Sequence, residues 1–209
     1  MEVTGKTLIW SLSTLLMASS LLKSVNMHSF ASETLQYMEA YMPSICTPYY
    51  KEAAVALCAL ELLTALLLKS GRLSLVASCA SVLLFTFFVW LTGINLFFPS
   101  MFGSIESCGC FGEIIHFSPT AAFAKSIVIW GMSVALLAIQ ACGRKTQKVW
   151  QNAIVPYLSV CLIASILPSA YSLLLMTKID VEFYIAGYMA ICAATISLAI
   201  LNTTRRKYH

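Results

Sequence analysis

Three cysteines carry the first chemical suggestion in this chain. Cys108 and Cys110 are separated by one glycine inside Glu106-Ser107-Cys108-Gly109-Cys110-Phe111-Gly112-Glu113, a stretch dominated by turn-forming residues. Two thiols so placed either close a small, strained and therefore labile disulfide ring or exchange with a third thiol. Cys46 is the natural third thiol if the loops meet, since exchange runs through attack of a thiolate on a disulfide and a mixed-disulfide intermediate. A permanent bridge from Cys46 to Cys108 or Cys110, tying two loops together, is the structural alternative. Zinc is disfavoured, because Cys108, Cys110 and His116 match none of the usual ligand spacings. Two ionisable residues join the cysteines as candidates. Glu61 lies in Cys58-Ala59-Leu60-Glu61-Leu62-Leu63-Thr64, where a carboxyl is costly unless protonated or paired, which suggests proton handling or the anchoring of a polar cofactor group. Cys58, Glu61 and Thr64, at i, i+3 and i+6, share one helical face; a neutral Glu61 bonded to Asn95 or Thr92 is the plainer reading. Lys125, early in another apolar run, either snorkels to the nearby surface or holds a carboxylate or thiolate, and beside Cys108 or Cys110 it would lower the thiol pKa.

The elements that must position these groups are membrane helices. Of 209 residues, 59% are hydrophobic and 11% charged, and the mean hydropathy is +0.83, too apolar for a water-soluble domain of this size. The fold class expected is an all-α, polytopic membrane helix bundle with six spans, at about Lys6–Leu22, Ala53–Leu68, Leu73–Phe98, Pro119–Ala141, Val155–Met176 and Val181–Leu201, each able to cross a core of roughly 30 Å. The second run is the shortest. Nine of the thirteen Lys and Arg residues (Lys6, Lys69, Arg72, Arg144, Lys145, Lys148, Arg205, Arg206 and Lys207) fall on one side, which sets both termini in the cytoplasm and the Cys-Gly-Cys loop on the exported side. Lys23, Lys51, Lys125 and Lys178 are left for the outer side. The net charge of +4 is therefore a topology signal, and a nucleic-acid partner is excluded for want of a basic stripe on a polar surface. Lys6 followed by an apolar run and Met17-Ala18-Ser19-Ser20 has some features of a signal peptide, but the run is long, and retention as a span is expected.

Two of the exported loops are long enough to hold something, at Lys23–Glu52 and Pro99–Ser118. The first contains a short amphipathic helix over Phe30–Met42 that sets Phe30, Leu35, Met38 and Met42 toward the membrane surface, keeps Glu33 and Glu39 elsewhere, and stops at Pro43. The second ends at Ser118-Pro119, a cap followed by a first-turn proline. Cys58, Cys79, Cys142, Cys161 and Cys192 fall within or at the ends of spans, where a thiol packs as a small hydrophobe; Cys46, Cys108 and Cys110 lie where disulfides persist. A transporter would want several polar groups at midplane or broken spans, and the chain offers mainly Glu61 and Pro168.

Taken in order, Glu61, Gly71-Arg72, an apolar span ending at Asn95, Cys108-Gly109-Cys110-Phe111-Gly112 and Phe123-Ala124-Lys125 resemble the methylamine utilisation protein MauE family, grouped with DoxX-like membrane proteins, over roughly residues 5–142. The resemblance implies a four-helix MauE/DoxX-like membrane domain at 1–142, here extended by a transmembrane hairpin at 149–204. It further implies a bacterial inner-membrane component of thiol–disulfide electron transfer with a periplasmic thioredoxin-like partner, since the founding member is needed for maturation of a periplasmic, disulfide-rich dehydrogenase subunit. On that reading Cys108 and Cys110 cycle between dithiol and disulfide, directly with the partner or through Cys46. The DoxX side of the resemblance adds a quinone near Glu61 as the second redox partner, which would make the protein a quinone-linked thiol–disulfide oxidoreductase. The competing expectation is a non-catalytic membrane scaffold that holds a maturation factor, with the cysteines as a fixed brace.

Overall fold

A computed structural model describes residues 2–71, 73–98, 118–142, 151–175, 178 and 181–204. Among these residues the chain is helical without strands: α1 Glu2–Val25, α2 Met27–Tyr41, a 3-10 turn Thr47–Tyr49, α3 Tyr50–Ser70, α4 Ser74–Phe97, α5 Pro119–Cys142, α6 Gln151–Leu175 and α7 Val181–Thr204. All but α2 and the 3-10 turn are long and apolar enough to cross a membrane, six helices in all. The chain is a multi-pass membrane protein. Cys108 and Cys110 lie outside the described residues.

The run that reads as shortest in sequence forms the centre of the bundle. Lys51 and Glu52 at one end and Lys69 at the other belong to α3 rather than to its flanks, so the helix runs 21 residues. Its spanning window is 61% buried, against 22–39% for the other five, and it touches α1, α2, α4, α6 and α7. Lipid tails are as apolar as leucine, so helices in a bilayer associate through close fit and polar contacts rather than burial alone. Buried Ala54, Cys58, Ala59 and Ala65 keep one set of α3 positions narrow, while Leu62, Leu66 and Leu68 fill the gaps between neighbours. Lys69 is buried at the far end with its ammonium 4.3 Å from the centre of the Trp10 ring, a cation–π contact. Around this helix, Leu12 and Leu16 of α1, Phe85 and Phe88 of α4 and Leu136 of α5 complete one core cluster. Serine hydroxyls tie the helices together: Ser20 donates to the Cys58 carbonyl at 2.8 Å, and Ser78 to Gln140 Oε1 at 3.0 Å.

Gly71 ends α3 with φ 63°, and its N–H donates to the Leu67 carbonyl at 3.2 Å. This is the left-handed C-terminal cap that a side chain disfavours. Gly71→Ala is expected to cost about 1 kcal/mol, visible as a fall of about 2–4 °C in the thermal unfolding midpoint of the detergent-solubilised protein.

At the other end of α1 the structure departs from expectation. Lys23 does not open an exported loop: the helix continues to Val25, and Asn26 separates it from α2, its side-chain oxygen accepting from the Ser29 N–H at 3.4 Å. An asparagine in this position offers the next helix's orphan amides a partner, so the chain turns within a single residue. Helix α2 starts earlier than expected and buries Met27, Phe30, Ala31, Glu33, Thr34 and Met38. Glu33 is thus on the inward face and Met42 is exposed, because the helix packs against α3 and the inward face follows that contact rather than side-chain polarity.

The last two helices join the same core. Cys161 of α6 and Ala199 of α7 cluster with Leu62 and Leu66 of α3. The carbonyls at the end of α1 receive phenol hydrogens, Tyr184 donating to Val25 O at 2.7 Å and Tyr188 to Leu21 O at 2.6 Å. A helix end inside a bilayer needs such partners, since no water is there to supply them.

Candidate functional site

Glu61 is 1% exposed, midway along α3, roughly 16 Å along the axis from Tyr50 at 1.5 Å per residue. Its partner is Lys23 of α1, also 1% exposed: the ammonium donates to Oε1, and Ser19 donates to Oε2 at 3.2 Å. Helices α1 and α3 run antiparallel, with Ser19 and Ser20 level with Glu61 and Cys58. Helical side chains tilt toward their own N-terminus, so the long Lys23 stem reaches back one turn to the carboxylate. The ammonium also lies 4.9 Å from the Phe88 ring centre and 5.3 Å from that of Phe30.

Of the residues singled out in the sequence, the structure brings Glu61 and Lys125 together. Lys125 of α5 lines the same small cavity, about 30 Å³, with Lys23, Glu61, Ser19 and Ser126, a space that holds a water molecule but no organic ring. Cys58, Glu61 and Thr64 do share a buried face, and the Thr64 hydroxyl is returned to its own helix at Leu60 O, 2.7 Å. The Thr92 hydroxyl likewise donates to Phe88 O at 2.7 Å, and the Glu61 carboxylate turns to α1. Cys46 is a half-buried thiol without a disulfide, in the turn before α3. Of the cysteines expected to pack, Cys58 and Cys161 are buried, Cys192 is half-buried, and Cys79 and Cys142 are exposed on the apolar outer faces of α4 and α5.

Lys23 is the residue that sequence reading missed. The signal was present: Leu12, Leu16, Ser19, Ser20 and Lys23 follow the i, i+4, i+7, i+8, i+11 spacing of one helical stripe. A charged residue at the end of an apolar run reads as the start of a loop, and the stripe becomes visible only once α1 is known to continue.

A polytopic helical membrane protein with a buried Lys–Glu pair and a second lysine on the same small cavity is the class that fold and site define. Within that class, the family model for methylamine utilisation protein MauE matches residues 1–141, and the chain belongs to this family. The match covers α1 to α5 and leaves α6 and α7 outside it. No curated protein and no solved structure matches the chain.

Proposed function

We propose that this protein is a thiol–disulfide electron-transfer component of the bacterial inner membrane that supports redox maturation of exported proteins. In this reading the termini are cytoplasmic, the Cys-Gly-Cys loop is periplasmic, residues 1–142 form the redox unit and 149–204 an added hairpin. Cys108 and Cys110 alternate between dithiol and disulfide, exchanging with a periplasmic thioredoxin-like protein directly or through Cys46. In each exchange the disulfide of one protein is reduced to two thiols as the two thiols of the other join, so that two electrons and two protons pass between the partners.

The observation that carries the reading is the pairing of Lys23 with Glu61, with Lys125 on the same cavity. Burying an ion pair contributes little to stability and often costs it, so charged groups at this depth point to function by default. Lys125 is six residues from Pro119, where α5 begins, and the Cys-Gly-Cys segment precedes that helix in the chain. A cation there favours thiolate over thiol, and Glu61 supplies a buried base. The test is maleimide mass-tagging of the full-length protein in membranes, before and after reduction, for wild type and for Cys46→Ser, Cys108→Ser and Cys110→Ser. A mixture of oxidised and reduced forms, with capture of a partner as a mixed disulfide by one single variant, is the expected result. Uniform bridging without capture in any variant would replace the relay with a scaffold braced by disulfides.

A further inference from the structure

A groove of about 630 Å³ lies between α3 and α6, within the size range of ligand sites. The two helices run antiparallel: Leu173 packs in the cluster of Ala54 and Cys58, and Cys161 in that of Leu62 and Leu66. The groove therefore follows both axes, from Lys51 to Leu63 on α3 and from Leu174 to Leu162 on α6. That length is about 18 Å at 1.5 Å per residue, close to the roughly 15 Å of half a hydrocarbon core. Small side chains create it. Ala56, Ala59, Ser165 and Ala170 leave the space between the helices unfilled, and exposed Leu60, Ile166 and Leu174 stand along it. The Ser165 hydroxyl donates to Leu162 O of its own helix at 2.8 Å, so the wall asks a guest for no hydrogen bond.

The lining identifies the occupant. Among the described residues no aromatic ring borders the groove, and its aliphatic walls fit a flexible methylene chain. A partner helix crossing the whole core of roughly 30 Å would leave half its length off the groove. Lipid tails are as apolar as these walls, so the chain by itself is not distinguished, and discrimination lies at the end where α3 begins. Lys51 and Glu52 are both exposed there, and the Lys51 ammonium lies 5.6 Å from the centre of the Tyr50 ring. Adjacent residues on a helix diverge by about 100° and do not face each other, so the two opposite charges stand side by side rather than pairing. A head group that carries both a phosphate and an amine presents the complementary pair. An anionic head without an amine loses to Glu52 what it gains from Lys51. We propose that the groove holds an acyl chain of a zwitterionic aminophospholipid, with the phosphate on Lys51 and the amine on Glu52. The site is independent of the thiol chemistry proposed above.

The experiment is native mass spectrometry of the full-length protein, released from detergent micelles after incubation with equimolar phosphatidylethanolamine and phosphatidylglycerol of identical acyl chains. Wild type is expected to retain one lipid per chain and to favour phosphatidylethanolamine about fivefold, the scale of an exposed charge pair. Lys51→Gln/Glu52→Gln, both at exposed positions, is expected to keep the lipid and bring the ratio to about one. Ala56→Phe, which fills the groove from an exposed position, is expected to lower retention about tenfold, while Leu83→Phe on the exposed face of α4 leaves retention and ratio as in wild type. Unchanged retention in Ala56→Phe would overturn the site, and an unchanged ratio in Lys51→Gln/Glu52→Gln would overturn the head-group assignment. Wild-type chains that fly lipid-free as dimers, with the dimer lost in Ala56→Phe, would give the groove to a second copy instead.

Discussion

Glu61→Leu is expected to destabilise the protein by about 3–5 kcal/mol, a fall of about 6–20 °C in unfolding midpoint for a chain of this size. The substitution removes the carboxylate that faces Lys23 and leaves an ammonium 1% exposed in surroundings of serine, leucine and phenylalanine. The cation–π contacts with the Phe30 and Phe88 rings remain, each worth about 2 kcal/mol when desolvated, and they do not replace the carboxylate. Lys23→Met is expected to cost less, because a stranded carboxyl can take up a proton and keep its hydrogen bond from Ser19. The double variant Lys23→Met/Glu61→Leu should recover most of the loss, since an apolar pair of similar volume is often neutral relative to a buried ion pair. Thermal unfolding of the four proteins in one detergent gives the coupling energy directly. If the double variant is as unstable as the sum of the singles, the pair does not hold α1 to α3 in the way its geometry implies.

Cys108→Ser and Cys110→Ser are each expected to stop oxidation of the exported client as completely as Cys108→Ser/Cys110→Ser, a fall of about a hundredfold or more in rate, with membrane abundance unchanged. The two sulfurs act as one unit in thiol exchange, and residues that act as a unit show losses that do not add. Serine keeps nearly the size of the cysteine side chain, so a pair that cycles rather than braces leaves abundance where it was. The contrast with Glu61→Leu is the informative part: one class of variant loses activity and keeps the protein, the other loses the protein. Following the redox state of a periplasmic disulfide-containing client, normalised to the amount of membrane protein, measures both. Loss of abundance in Cys110→Ser, by the roughly 2–4 kcal/mol typical of a removed structural disulfide, would instead support the scaffold. Cys46→Ser locates the third thiol: a loss equal to the others puts it on the relay, and full activity means direct exchange with the partner.

Hydropathy is a local and additive property, and so the six helices, the all-helical class and family membership could be read from the chain alone. The 3.6-residue period is equally local, and it set Cys58, Glu61 and Thr64 on one inward face. Intramembrane Glu61 stood out for the same reason, since a carboxyl among leucines is costly wherever the helix sits. Three things needed the packed bundle. The partner of Glu61 depends on the register of α1 against α3, which brings together residues 38 apart in sequence, and no local pattern encodes that register. The inward turn of Glu33 depends on how α2 lies against α3, so a helix read by polarity alone has its face misassigned. The central place of α3 comes from having neighbours on several sides, a property of the assembly; an interrupted apolar run belongs there because its polar groups find partners on other helices rather than in lipid.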